Sequence, residues 1–364
     1  MKFSCLQQDL ISSIQTVQKA AASKGTSPIY QYIYVETLSD EVRLVATNQT
    51  QTIANTIPAQ IEEKGKILLP ASLFRDIIAK MPSVMIDMKS NDRNLMTVSY
   101  TNMKYAIQGM PVGEFTFMDD ISSDVSFDIK LEDIKKYVDS TFFTASTEES
   151  KPTLNGICFK CSNGKLDTVT SDSFRLSLCK GNLGEDISFE IIVPAKILHE
   201  ILSSADDSEE KASITFNQKY IKVAIGKTTL VTGLISGKFI NYEAIIPKEY
   251  KTRMICSRQL LLSILERASI LSDKSILYPV RFEIGFNKLL VSSNSEAGEA
   301  YEEINVSTEG DEMTIGFNSK QFIELLRNTD HEDLSFDFIS PTRTCVIKPI
   351  SSDDMTYLIT PLRL

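Results

Sequence analysis

The residues able to do chemistry are few. His199 and His331 are the only two imidazoles in 364 residues. His331 sits in the polar run Thr329-Asp330-His331-Glu332-Asp333, and His199 falls on a helical pattern, where a solvated residue is favoured over a base. Cys158-Phe159-Lys160-Cys161 is the one CxxC of the chain. A zinc site wants further Cys or His at ligand spacing, and no second CxxC exists. The run Gly156 to Cys161 alternates like a strand, so a structural strand is favoured over metal or thiol chemistry. The acidic run Glu296, Glu299, Glu302 and Glu303 could hold paired carboxylates or metal ligands. A charged sheet edge or a subunit interface is favoured, because no other site residues converge on it. No Gly-rich phosphate loop and no nucleophile motif occurs. No catalytic residue, metal or cofactor is expected.

The elements around these residues repeat. Leu69-Pro70-Ala71-Ser72-Leu73-Phe74-Arg75-Asp76-Ile77-Ile78 returns as Val193-Pro194-Ala195-Lys196-Ile197-Leu198-His199-Glu200-Ile201-Leu202. It returns again as Phe317-Asn318-Ser319-Lys320-Gln321-Phe322-Ile323-Glu324-Leu325-Leu326, at intervals of 124 residues. Each copy reads as a strand end, a Pro or capping residue, then a helix with a broad apolar stripe. The openings repeat as well: Phe3 with Leu10, Ile11 and Ile14, then Phe127 with Ile134, Tyr137 and Val138, then Met254 with Leu260, Leu261 and Ile264. So long a period means three copies of a whole domain. The expected domains are residues 1–124, 125–250 and 251–364. Each contains two strand–helix units followed by further strands with short connections. The expected class is α+β, two helices packed on antiparallel sheets in each of three repeats.

Composition bounds the rest. Hydrophobic content of 42% and charged content of 24% are ordinary for a soluble globular chain. No apolar run approaches the ~20 residues of a membrane span, and the start Met1-Lys2-Phe3 lacks a signal-peptide core. A cytoplasmic protein without a membrane partner is the expectation, and six cysteines that mostly stand alone fit a reducing compartment. The net charge of −10 argues against a nucleic-acid partner when taken alone. The helices nevertheless carry Arg75 and Lys80, then Lys196 and His199, then Lys320 and Arg327, on the sides away from their apolar stripes. The opening helices add Lys19, Lys135, Lys136, Arg258 and Arg267. Solvated faces would explain each singly. The recurrence raises a second reading, a basic lining with the acidic excess elsewhere.

Four segments resemble one family. They are Met1-Lys2-Phe3, Leu154-Asn155-Gly156-Ile157, Thr170-Ser171-Asp172-Ser173-Phe174-Arg175-Leu176 and Tyr357-Leu358-Ile359-Thr360-Pro361-Leu362-Arg363-Leu364. With three repeats of about 124 residues, the chain resembles the bacterial sliding clamps, the beta subunits of DNA polymerase III. The resemblance implies a head-to-tail homodimeric ring that encircles double-stranded DNA without sequence preference. Such a ring tethers the replicative polymerase, the clamp loader and other proteins carrying short clamp-binding motifs. A repeat-built interaction scaffold without a DNA role is the alternative, and a metal- or thiol-dependent enzyme using Cys158 and Cys161 is the third reading.

The resemblance also implies sites. DNA contacts are expected at Lys24, Arg75, Lys80, Lys196 and Lys320. The dimer interface is expected to bring Lys104, Tyr105 and Ile107 against Ile270, Leu271, Glu299 and Glu302. A partner-peptide pocket is expected from Leu154, Ser171, Ser173, Phe174, Arg175, Leu176, Ile240, Ile245, Leu358, Thr360, Pro361 and Leu362, with Arg363 and Leu364 beside it. There Arg175 is expected as a charged donor at the rim, and Ser171 and Ser173 as hydroxyls for peptide backbone. Ile240 and Asn241 depart from a family Pro and Asp, and Thr360 from a family Met. These three are expected to alter the motif preference.

Overall fold

The apolar spacing read from the sequence becomes seven helices among the described residues. They are α1 (Gln7–Gln18), α2 (Ala71–Lys80), α3 (Leu131–Phe142), α4 (Ala195–Ser203), α5 (Tyr242–Ile245), α6 (Arg258–Ile270) and α7 (Ser319–Arg327). The computed structural model describes residues 1–22, 27–206, 208–273 and 277–363. Starts of α2, α4 and α7 fall 124 residues apart, whereas α1, α3 and α6 start at 7, 131 and 258. Pro70 stands just before the first helical residue rather than inside the first turn. In the third copy Asn318 takes that place and caps the helix, its side chain accepting from the Gln321 N–H at 3.3 Å.

The stripes are buried as expected, with one difference. Helix α2 buries Ala71, Phe74 and Ile78, and α7 buries Phe322, Ile323, Leu325 and Leu326. Leu73 is 48% exposed, while Ile197, the same position in α4, is 4% exposed. Leu73 lies on a helix that flanks an open sheet edge, so the stripe of α2 has nothing to cover its outer half.

By compactness the chain forms two units. One is Met1–Lys135 with Ile197–Leu234, the other Lys136–Lys196 with Ile235–Leu364. The division cuts the middle repeat, because each of that repeat's two sheets is shared with a neighbour. In the first unit an eight-stranded sheet joins Gln51–Pro58 of the first repeat to Thr228–Gly233 of the second. A separate five-stranded sheet ends on Met103–Gln108, which pairs only with Leu95–Tyr100. Helices α1 and α2 pack on each other, and Gln7 Nε2 ties them by donating to the Ile78 carbonyl at 2.7 Å.

The second unit repeats the plan. A nine-stranded sheet joins Arg175–Asn182 of the middle repeat to Met355–Ile359 of the third. A four-stranded sheet ends on Gly298–Asn305, paired only with Lys288–Ser295. Helices α6 and α7 pack together over Phe282, Phe317 and Phe322, whose rings lie 5.1–5.4 Å apart. All paired strands run antiparallel, so short turns suffice to connect them. No helix of the described residues is long and apolar enough to cross a membrane.

Candidate functional site

The turn between Lys165–Ser171 and Arg175–Asn182 sets one wall of the site. Asp172 Oδ1 accepts from the N–H groups of Phe174 at 2.9 Å and Arg175 at 2.7 Å. Ser171 Oγ donates to the Arg175 carbonyl at 2.7 Å and accepts from the Ser173 N–H at 3.1 Å. These bonds hold Ser173 at a φ of 80°, a left-handed conformation that costs on the order of 1–3 kcal/mol for a non-glycine. The result pushes Phe174 outward, leaving its side chain 55% exposed. Thr360 fixes that position from the facing strand end: its N–H donates to the Phe174 carbonyl at 2.9 Å, and its hydroxyl donates to the same oxygen.

Beneath the turn lies an apolar floor. Leu154, Cys158, Val169, Leu176, Leu178, Ile192, Phe239, Tyr242, Val346 and Leu358 form one buried cluster, with Ile235, Ile240 and Ile246 packed against it. Asn241 caps the short helix α5, accepting from the Ala244 N–H at 3.4 Å. The Tyr242 hydroxyl donates to Asp167 at 2.8 Å; burial and that carboxylate both raise its pKa. Ile245 is exposed, Pro361 half-buried and Arg363 exposed, while the Leu362 N–H donates to the Gly316 carbonyl at 2.8 Å. Leu364 lies outside the described residues.

Two expectations for this wall are corrected. Arg175 is buried, not a donor at the rim. Its guanidinium donates to Asp172 at 3.0 Å, to Glu324 at 2.6 Å and to the carbonyls of Gln321 and Phe143 at 3.5 Å. Ser171 spends its hydroxyl inside the turn, and Ser173 Oγ accepts from Lys151 Nζ at 3.1 Å. What remains exposed at the wall is Ser173 and the Phe174 ring.

The first unit carries the same cluster one repeat earlier. Tyr30, Tyr34, Val45, Ala54, Leu68 and Phe115 are buried together. They stand 124 residues before Leu154, Cys158, Val169, Leu178, Ile192 and Phe239. Tyrosines occupy the places of Leu154 and Cys158, and the rings of Tyr34 and Phe115 stack 6.0 Å apart. Phe117 packs on both at 5.4 and 6.0 Å. Side-chain size thus separates two equivalent places: aromatic rings plug the first, and smaller residues line the second.

The CxxC does not form a joint site. Cys158 and Cys161 stand three apart on one strand and point to opposite faces. Cys158 belongs to the apolar floor, where burial pushes its thiol up to about 12. The acidic run is a sheet edge: Glu302 takes Arg267 at 2.6 Å and Glu303 takes Lys288 at 2.8 Å. Arg267 holds the Glu302 carboxyl below its ordinary range.

The helix cations fall into two sets. Lys19 donates to the Glu200 carbonyl at 2.8 Å, Lys135 to Ala205 at 3.3 Å and Arg258 to Leu326 at 3.0 Å. Each acceptor lies in or just after a last helical turn, where carbonyls lack helix partners. Arg75 is held by its neighbour Asp76 at 2.7 Å, and Lys320 lies 3.6 Å from the Tyr278 ring centroid. Lys80 and Lys196 are exposed. Lys24 lies outside the described residues.

Profiles of the DNA polymerase III beta subunit match the chain three times in order. The N-terminal domain matches residues 1–119, the central domain 128–241 and the C-terminal domain 243–363. The chain belongs to the DNA polymerase III beta-subunit family. It is 25% identical to the curated beta sliding clamp of Staphylococcus epidermidis, over all of this chain and 99% of that one. The DNA polymerase sliding clamp of Bacillus subtilis has 26% identity and a TM-score of 0.95, covering 100% of this chain and 99% of the other. The Streptococcus pyogenes beta subunit has 27% identity and a TM-score of 0.93, with both chains covered in full.

Within this beta-subunit frame the two open edges hold the residues expected at an interface. Lys104 and Tyr105 are exposed on one edge, Glu299 on the other, and Ile270 at the end of α6 is 73% exposed. Leu271 is half-buried. Ile107 is corrected: it is fully buried in its own domain, although Tyr105, two residues earlier on the same face of the strand, is exposed. Sequence reasoning missed Leu73, Ala106 and Tyr301, which are exposed at or beside these edges. The period could have found them, since Ile197, Val231 and Leu178, their equivalents in the middle repeat, are buried.

Proposed function

We propose that this chain is a DNA sliding clamp of replication, acting as a homodimer that closes head to tail around duplex DNA. One observation carries the reading. Two sheets cross the repeat boundaries with eight and nine strands, while the five- and four-stranded sheets stay within the first and third repeats and each end, on one side, on a hairpin strand paired with a single neighbour, Met103–Gln108 and Gly298–Asn305. Joined between copies along these two edges, the sheets would make nine strands, in the range of the eight- and nine-stranded sheets that cross the repeats within the chain. A closed ring of this kind tethers rather than catalyses. It holds the replicative polymerase near its template by effective concentration. Lys80 and Lys196, with Arg75, Lys320 and Lys24, would meet phosphates weakly and without sequence preference. The polymerase, the clamp loader and other partners would dock short motifs on the Phe174 wall, inserting apolar anchors over Leu154, Leu176 and Leu358.

The test is retention on DNA of defined topology. The protein, loaded by its clamp loader on nicked circular duplex, should stay bound at moderate salt and leave within minutes once the circle is cut. Equal loss from circular and linear DNA would overturn the clamp reading and favour a scaffold without a DNA role.

A further inference from the structure

Two joints inside the chain share one backbone plan. Each has five antiparallel rungs, residues 51–55 against 228–232 at the first and 175–179 against 355–359 at the second. The elements beside them stand 124 residues apart: Glu41–Thr47 and Lys165–Ser171, Gln51–Pro58 and Arg175–Asn182, α1 and α3. Main-chain pairing therefore does not distinguish the joints. The side chains on one face of each sheet do.

At the first joint that face is aliphatic. Val17 of α1, Ala20 just after it, Leu44, Ala46, Ile53 and Leu230 are all buried, and α1 packs on both strands of the first repeat. At the second joint the same six places hold Thr141, Thr144, Thr168, Thr170, Ser177 and Tyr357, equally buried. Ile53 faces Leu230 across the first joint as Ser177 faces Tyr357 across the second. The Thr144 and Thr170 hydroxyls lie 2.6 Å apart, Thr170 donates to the Thr141 carbonyl, and Thr141 donates to the Tyr137 carbonyl at 2.8 Å. Thr168 Oγ1 and Ser177 Oγ are sealed from solvent and have no hydrogen-bond partner among the described residues.

The two faces respond differently to opening. Parting the first joint exposes aliphatic surface to water, which is unfavourable. Parting the second hands its hydroxyls to water, which replaces their mutual bonds at little net cost and gives Thr168 and Ser177 the partners they lack. Ion pairs cross both joints, Lys227 with Glu41 at the first and Lys136 with Asp354 at the second, so they do not separate the two. Arg175 ties one end of the second joint to α7, which makes that end the pivot.

We propose that the joint between the middle and third repeats is a compliant hinge, opening locally while the first joint stays closed. The hinge lies directly behind the docking floor. Leu176, Leu178 and Leu358 alternate with Ser177 and Tyr357 on the same two strands and point to the opposite face. A motif seated on that floor holds both strands, so docking closes the hinge by mass action. This last step rests on the docking reading above, whereas the asymmetry of the joints does not.

Hydrogen exchange of the intact protein, read by mass spectrometry, tests the hinge. Amides of residues 175–182 and 355–359 should be protected at least tenfold less than those of 51–58 and 228–233. Equal or greater protection overturns the proposal. Thr168→Val with Ser177→Ala removes the two unpartnered hydroxyls and nearly keeps their shapes. It should slow exchange at the second joint at least threefold and leave the first joint unchanged, and either single change should act in the same direction if the pair does not fold. Exchange that stays as fast would mean that the hydroxyls do not set the compliance, and overturns it as well. A saturating clamp-binding peptide should raise protection at the second joint alone. Binding without that rise overturns the coupling, whereas no binding with the asymmetry present overturns the docking reading and leaves the hinge standing.

Discussion

Arg175 Nη1 donates to Glu324 Oε2 at 2.6 Å, tying a turn of the middle repeat to helix α7 of the third. The arginine is buried and the glutamate half exposed, so the two ends of the bond carry unequal weight. Removing Arg175 strips four acceptors of their donor and leaves Asp172 without its cation.

Arg175→Ala is therefore expected to destabilise the fold by about 2–4 kcal/mol, and Glu324→Ala by about 1 kcal/mol. Urea unfolding of both variants measures this. Equal effects would mean that the Asp172 and carbonyl contacts contribute nothing.

Partner binding is expected to depend on Phe174 and on the segment after Thr360. Phe174→Ala should lower affinity for a clamp-binding peptide about tenfold, roughly 1.4 kcal/mol, with the melting temperature unchanged. Deleting Leu362, Arg363 and Leu364 should do the same while the dimer persists. Fluorescence anisotropy with a labelled peptide checks each. Retained affinity in both variants would remove the Phe174 wall as the docking place.

DNA affinity is expected to separate the helix cations. Lys80→Ala and Lys196→Ala should each reduce the salt slope of binding by about one unit, for all sequences alike. Arg75→Ala should do less, because Asp76 already offsets its charge. Arg258→Ala should lower stability and leave the slope unchanged, since that guanidinium serves the carbonyls of Leu326 and His331. A sequence-selective loss would contradict phosphate contact.

The buried thiols give a pH dependence. Burial pushes Cys5 and Cys158 from an ordinary value of 9.0 to about 12, and Cys179 and Cys256 to about 11. Between about pH 9 and 12 the unfolded chain releases protons that the folded chain keeps. Their contribution is complete below pH 9 and is lost as pH rises through that window. Denaturant midpoints should fall over the same range, and less steeply in a Cys5→Ala, Cys158→Ala variant.

The repeat was legible because period and helix stripe are local properties. Phe74, Leu198 and Phe322 announce themselves by spacing alone. Lys104, Tyr105 and Glu299 came instead from the resemblance to the clamps, and the fold leaves them exposed on edge strands. Arg175 was not, because its role is set by Glu324 and Phe143, each a separate element in the chain. Ser171 was misread likewise, its hydroxyl being spent on a turn whose bonds involve Arg175 and Ser173. Ile107 was assigned to the interface with Tyr105, which shares its face of the strand, but at Ile107 that face is covered within its own domain, which spacing alone does not tell.

The aromatic plug in the first repeat bears on stoichiometry. Tyr30, Tyr34 and Phe115 occupy what Leu154, Cys158 and Phe239 line one repeat later, and the third repeat puts Arg281 and Ser292 on the corresponding rung. With docking proposed at the Phe174 wall, the plug would leave that place without an apolar counterpart in the other two repeats. A ring of two chains would seat two motifs and no more. Proteins that need the same DNA would then queue for a pair of berths, and the order of traffic would follow their relative affinities and abundance.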